Sequence, residues 1–302
     1  MNNHYVGSDV NQVEPISLSH ITGQKKVIEA LQVQIRAYFN IRSTTGNANQ
    51  SFGPVALVGP SGTGKTLVAK AIHAELGNLR LYQTNGETIN ARRELFSILL
   101  DADEHTTIFI DEAQGMNSKT QHILLTAISE QFLPIKVGSA RHTRGIQLKS
   151  FTLILATTHE YLLQEALRNR MRIYCRLHCY SVSDLVEIVD QRAKTLGWSY
   201  ESREILWKIA ERAKGTARQA LNRNLQMCWQ VAQNHDHDSI TIADVDEAFF
   251  HMQIDELGLE EIDRQYLRIL AEDGHVALNV ISSKLGLPSK TIQDVIEPYL
   301  IR

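Results

Sequence analysis

Three short unbroken apolar runs stand out in the first half of the chain: PVALV at 54–58, TTIFIDE at 106–112 and FTLILATT at 151–158. Runs of this length without alternation predict strands buried on both faces. Between them the apolar positions recur at helical spacing. One helix is predicted over about 24–39 and another over TLVAKAIHAEL at 66–76. Strands alternating with helices predict a parallel sheet with crossover helices. STTGNANQS at 43–51 reads as a loop. After Tyr180 the strand runs stop, and helical periodicity follows at about 182–196, 201–213, 216–233 and 241–251. From Leu257 a smaller unit begins, with EEIDRQYLRILAE, LNVISSKLG and SKTIQDVIEPYLI as three short helices. Their spacing predicts a helix-turn-helix or winged-helix module. The predicted division is 1–180 for an α/β P-loop domain with a polar N-terminal segment, 181–252 for an all-α lid and 253–302 for a small winged-helix-like domain.

Composition narrows this picture. The chain has 302 residues, 43% of them hydrophobic, enough for two or three cores. The formal charge of −3 gives no general basic field, so charge alone implies no nucleic-acid partner. Three cysteines form no disulfide framework and suit a reducing interior. The opening MNNHYVGSDVNQVEP is not a signal peptide, and no apolar run approaches a membrane span. A cytoplasmic setting is expected.

The chemistry begins at GPSGTGKT, Gly59 to Thr66. This is a complete P-loop pattern, with a strand before it and a helix after it. Gly59, Gly62 and Gly64 let backbone N–H groups curl around phosphate oxygens, and the helix amino terminus adds partial positive charge. Lys65 is placed to reach the outer phosphates of ATP, and the Thr66 hydroxyl to ligate Mg²⁺. In IFIDEA, Asp111 and Glu112 end a buried strand, where ligands of parallel sheets sit. Asp111 is expected to hold Mg²⁺ through its water shell and Glu112 to act as general base. Thr157 and Thr158 end the third strand, where a hydroxyl could orient the lytic water. Two solvated turn acids, or a common strand-end threonine, are the alternative readings.

LRNRMRIYCR, 167–176, carries four arginines. A nucleic-acid patch, a solvated face and cations aimed at phosphate compete for it. Next to a P-loop domain the third is preferred. Arg170 is the expected finger acting on a neighbouring subunit's γ-phosphate, with Arg168 second; Arg172 and Arg176 read as surface charges. KGTARQALN at 214–222 opens a helix with Thr216 as N-cap, and Arg218 in its first turn could reach back to phosphate.

Together these parts resemble the AAA+ ATPases, and among them the RuvB branch-migration family. The likeness rests on ITGQKKV (21–27), GPSGTGKT, IFIDEA, the 132–151 segment FLPIKVGSARHTRGIQLKSF, FTLILATT, LRNRMR, GTARQALN, DELGLEEIDRQYLRIL (255–270) and DVIEPYLI (294–301). The resemblance implies a hexameric ring that hydrolyses ATP and pulls duplex or Holliday-junction DNA with a junction-binding protein partner. It implies nucleotide contacts at Gly62, Lys65, Thr66, Leu67, Arg170, Tyr180 and Arg218, with Val13 and Ile21 near adenine. Segment 132–151 corresponds to the family's partner-gripping hairpin, with a basic turn here. Glu14-Pro15 stands where the family has Arg-Pro. The chain is also read as divergent, lacking the C-terminal wing and its DNA-contacting arginines. SKTIQDVIEPYLI sets Lys290 against Asp294 and Glu297.

Smaller signals are read as structural. Cys175, His178 and Cys179 lack the four ligands of a zinc site. His235-Asp236-His237-Asp238 reads as a solvated loop between helices, with metal binding as its alternative. Trp198, Trp207, Trp229 and Met227 read as lid core. The functional expectation is an ATP-driven DNA motor. The alternatives are an ATPase that remodels or loads a protein partner with little DNA binding, and a nucleotide switch that hardly turns over.

Overall fold

A computed structural model describes residues 10, 17–45, 51–135 and 144–301. The chain divides into two compact units, 14–179 and 180–302, the latter including 1–13.

In the first unit, five strands form one parallel sheet in the order β2-β3-β6-β1-β7. They are β1 (Val55–Val58), β2 (Arg80–Asn85), β3 (Thr106–Asp111), β6 (Thr152–Thr157) and β7 (Ile173–Arg176). A hairpin, β4 (Phe132–Ile135) and β5 (Arg144–Gln147), stands apart from that sheet. Helices α1 (Lys25–Thr45), α2 (Lys65–Leu76), α3 (Arg92–Asp101), α4 (Ser118–Glu130) and the short α5 (Glu165–Arg168) complete the unit.

The unbroken apolar runs have a direct cause. Successive residues of the three inner strands enter different cores on opposite faces of the sheet. Ala56, Val58, Ile108, Ile110, Leu153 and Leu155 pack with Leu95 and Leu99 of α3 and Leu124 of α4. Val55, Leu57, Phe109, Ile154 and Ala156 pack with Leu31 of α1 and Val68 and Ile72 of α2. Each fully buried aliphatic or phenyl side chain contributes about 1.5–3 kcal/mol. This three-layer arrangement fixes the carboxyl ends of β1, β3 and β6 side by side.

The second unit holds α6 (Val182–Leu196), α7 (Arg203–Glu211), α8 (Gln226–Asn234) and α9 (Ile242–His251), with a π-helical stretch at Gln219–Leu225 leading into α8. Two-residue strands β8 (Ser199–Tyr200) and β9 (Ser239–Ile240) pair in parallel, a small sheet that the helical periodicity hides. Ser181 caps α6 by accepting from the Asp184 amide. Trp198 and Trp229 stack with centroids 4.9 Å apart inside this core, whereas Trp207 is 42% exposed and lies outside it. Met227 packs against its edge.

Two packing features bear on the expected division. Val10, in the N-terminal segment expected with the α/β domain, is buried in the helical core. Its amide donates to Gln226 Oε1 at 3.1 Å and its carbonyl accepts from Arg192. The lid and the C-terminal module lie together in one compact unit. The module contributes α10 (Glu261–Asp273), α11 (Leu278–Leu285), α12 (Ser289–Thr291), a π-helical turn (Ile292–Ile296) and α13 (Glu297–Leu300). Its own core is Tyr266, Ile281, Ile292 and Ile296. Charges join it to the lid: Lys214 pairs with the nearly buried Asp263 and sits 3.5 Å from Glu260, which also pairs with Arg223 at 2.6 Å.

Removing one member of such a buried pair leaves the other uncompensated. Asp263→Ala is expected to cost about 3 kcal/mol in urea unfolding of this unit; a change below the scatter of the measurement would contradict the joint. The Arg223 hydrogen bond holds the Glu260 carboxyl below its usual range although burial opposes it. A lowered folded pKa means that the stability Glu260 contributes is complete above the ordinary carboxylate range. It is lost as pH falls through the lowered value.

Candidate nucleotide site and family membership

The P-loop leaves the end of β1 between β6 and β7, where the crossover direction reverses. Gly59 donates its amide to the Thr157 carbonyl at 3.2 Å, and Leu177 donates back to the Val58 carbonyl at 2.7 Å. A Cβ at Gly59 would lie 2.4 Å from the Leu177 carbonyl oxygen, so only glycine fits this approach. Gly62 and Gly64 have φ of 78° and 93°, the left-handed region the loop requires. The buried Thr63 hydroxyl donates to the Pro60 carbonyl at 2.8 Å and braces the turn.

Lys65 is 6% exposed. Its ammonium donates to the carbonyls of Gly59 and Pro60 at 2.8 and 2.9 Å, which holds the charge at the loop. Thr66 donates its hydroxyl to Asp111 Oδ2 at 2.8 Å. One hydroxyl and one carboxylate oxygen form the hard-donor pair that suits a water-clad Mg²⁺. Asp111 Oδ1 also accepts from the Glu112 amide at 2.9 Å.

Glu112 has φ 44° and ψ 49°, uncommon for a non-glycine residue. The turn after β3 imposes it, and Gly86 packs under it: a Cβ there would lie 2.3 Å from the Glu112 carbonyl oxygen. The Glu112 side chain joins a network that spacing in sequence did not reveal. Gln114 donates to Glu112 Oε2 and, at 3.0 Å, to the Thr158 hydroxyl. Thr158 is 3.2 Å from Glu112 Oε2 and 2.8 Å from His159 Nδ1. Thr157 donates to Gln114 Oε1 at 2.6 Å and accepts from the His159 amide at 3.1 Å. Strands β3 and β6 are neighbours, so residues about 45 apart in sequence meet here. Gln114 and His159 are therefore additions to the expected set. In sequence only the nearness of Gln114 to the acidic pair hinted at it.

The other expected positions fall as follows. Leu67 is half-buried on α2. Ile21 packs against the α1–α2 core. Gln24 anchors its segment, donating to the His178 carbonyl at 2.5 Å and accepting from the His178 amide at 3.2 Å. Arg170 is exposed just beyond α5, with its amide bonded to the Leu167 carbonyl at 3.1 Å. Arg176 pairs with Glu160 at 2.7 Å and lies over the Tyr174 ring, a surface role. In the helical unit, Tyr180 is 8% exposed within the core and donates its amide to the Gly215 carbonyl at 2.9 Å. Arg218 is exposed where the π-helical stretch begins, and Thr216 Oγ1 accepts from the Gln219 amide at 3.4 Å. Val13, Glu14, Pro15 and the hairpin turn at 136–143 lie outside the described residues. Burial pushes the Cys175 thiol up to about 11, and Cys175, His178 and Cys179 form no metal-type cluster among the described residues.

The model of the Holliday junction DNA helicase RuvB P-loop domain matches residues 13–177, more than half of the chain. The chain belongs to the RuvB family. A RuvB subunit of the branch migration complex from Chloroflexus aggregans is 35% identical over 309 residues, covering 99% of this chain and 85% of that protein. Its counterpart from Neorickettsia sennetsu is 32% identical, covering 96% and 86%. Among solved structures, the Thermotoga maritima RuvB Holliday junction branch migration motor matches with a TM-score of 0.80 and 30% identity, over 95% of this chain and 90% of that one. A point mutant of the same protein matches at 0.81 and 30%, over 96% and 91%.

A second family model, the RuvB C-terminal winged helix domain, matches 256–302. The reading of a chain divergent through lack of the wing is therefore corrected: the winged-helix domain is present. Its core is the cluster of Tyr266, Ile281, Ile292 and Ile296. The charge of its last helix also reads differently in the structure. Glu297 is half-buried and accepts from the Tyr266 hydroxyl at 2.9 Å.

Proposed function

We propose that this RuvB-family chain is an ATP-driven motor that moves Holliday-junction DNA, working as a ring of copies, with six expected from the family pattern. The observation that carries the reading is the Thr66–Asp111 hydrogen bond, which joins the P-loop that holds Lys65 to the acidic pair ending β3, in a chain matched by both RuvB domain models. Lys65 and the loop amides hold the ATP phosphates. Thr66 and Asp111 hold Mg²⁺, which when bound neutralises phosphate charge. Glu112 takes the proton of the attacking water, and Gln114 and Thr158 orient its carboxylate. Arg170 acts on the nucleotide of the neighbouring copy. The role of Arg218 toward nucleotide rests on its place in the first turn of its helix and on the family pattern; those of Val13, Ile21, Leu67 and Tyr180 rest on the family pattern. The 132–151 segment is the docking element for a junction-binding protein; β4 and β5 pair antiparallel there, with Gly145 against the Phe132 ring. None of the described helices is long and apolar enough to cross a membrane.

The competing reading is a protein-remodelling ATPase. Titration of four-way junction DNA at 50 and 200 mM salt separates the two. A motor that grips phosphates binds the junction, and its affinity falls by about 10³ across that range if it neutralises roughly six phosphates. Undetectable binding at the lower salt supports the remodeller.

A further inference from the structure

The helical unit holds a cluster of ligand-type side chains that the nucleotide site does not use. It is built by the exit from α8. The His237 amide donates to the Ala232 carbonyl at 2.9 Å and the Asp236 amide to the Gln233 carbonyl at 3.2 Å. Asp236 turns the chain with φ 56°. The reversal sets the imidazoles of His235 and His237 against the start of α9. There Thr241 and Asp244 form a capping box: Asp244 Oδ2 accepts from the Thr241 amide at 2.9 Å and hydroxyl at 2.8 Å. Asp244 Oδ1 faces the imidazoles, 3.1 Å from His237 Nδ1 and 3.5 Å from His235 Nδ1.

One ligand atom from each of the three residues lies within 4.8 Å of the others, the one such group among the described residues. Metal bonds of about 2.0–2.2 Å in tetrahedral geometry separate neighbouring ligand atoms by roughly 3.3–3.5 Å. The 3.1 and 3.5 Å separations from Asp244 Oδ1 are already close to that, and within the 4.8 Å limit of the group the two half-exposed imidazoles can close up by side-chain rotation. The rest of the surroundings also fit an ion. The Asp244 side chain is fully buried and fixed by its cap, while His235 and His237 keep 37% and 40% of their side-chain surface. An ion can therefore enter from solvent and retain water in its remaining position. On the far side of the His235 ring, Nε2 lies 3.5 Å from Glu247 Oε2. A carboxylate behind a ligating histidine fixes the ring and raises its basicity.

We propose that His235, His237 and Asp244 form a zinc-class metal site that clamps the α8–α9 connection onto α9. Two imidazoles and one carboxylate select a borderline ion over Mg²⁺, which prefers oxygen donors. The nucleotide's Mg²⁺ therefore does not compete for it.

The test uses the full chain, stripped with chelator and titrated calorimetrically with ZnCl₂ in excess Mg²⁺. One zinc per chain is expected, together with a rise in melting temperature. His235→Ala and His237→Ala, singly, should each weaken binding roughly tenfold or more, and the double variant should lose both the binding and the thermal shift. His275→Ala, in the winged-helix domain, should change neither. Asp244 is left intact because it caps α9. His235 is exposed, so its variant retains the fold, which circular dichroism verifies. No zinc uptake by the folded wild type, or undiminished one-to-one uptake by the double variant, overturns the proposal.

Discussion

Lys65→Ala is expected to lower ATP turnover by about 10²–10³-fold or more, because it removes a preorganised cation from the outer phosphates. The lysine is nearly buried and tethered to two carbonyls of its own loop. Nucleotide affinity should fall with turnover. Glu112→Gln should separate the two: the glutamine keeps the shape of the site and the Gln114 contact region but cannot take a proton. ATP is then bound and not released as ADP, with a comparable loss of turnover. Nucleotide-binding fluorescence beside a phosphate-release assay reads both. Normal turnover in Lys65→Ala would remove the P-loop from the mechanism.

The second large effect concerns Arg170. It is exposed beyond α5 and free to meet another copy. A finger supplied by a neighbour is worth about 10³–10⁵ in rate. Arg170→Ala alone should therefore be nearly inactive. Mixed with Lys65→Ala protomers it should regain part of the turnover, since some interfaces then pair an intact loop with an intact arginine. Arg176→Ala serves as the control: its guanidinium is already engaged by Glu160, and turnover should be unchanged. A mixture no more active than the sum of its parts, under conditions where the copies assemble, would show that Arg170 does not act in trans.

What the sequence disclosed followed from how each element is buried. Strands β1, β3 and β6 were legible because both faces are covered, leaving their interiors almost wholly apolar. Strand β2, RLYQTN, lies at one edge of the sheet and its side chains are half-buried or exposed, so its run carries no apolar signature. At the other edge β7 alternates buried and exposed residues, and its arginine disguised it as part of a charged stretch. The P-loop was legible because its chemistry is contiguous. The setting of Glu112 was not, because Gln114, Thr158 and His159 meet only when β3 and β6 lie side by side. The joint between lid and winged helix was hidden for the same reason: Lys214 and Asp263 are 49 residues apart. His235 and His237 were visible as a pair, but Asp244 enters their company only through the turn after α8.

The most direct measurement is the steady-state ATPase rate of the wild-type chain with and without four-way junction DNA. Hydrolysis should rise several-fold when the junction is added and vanish in Glu112→Gln. Hydrolysis at the same rate whether or not junction DNA is present, in a preparation shown to bind it, would contradict a motor that couples this pocket to DNA movement.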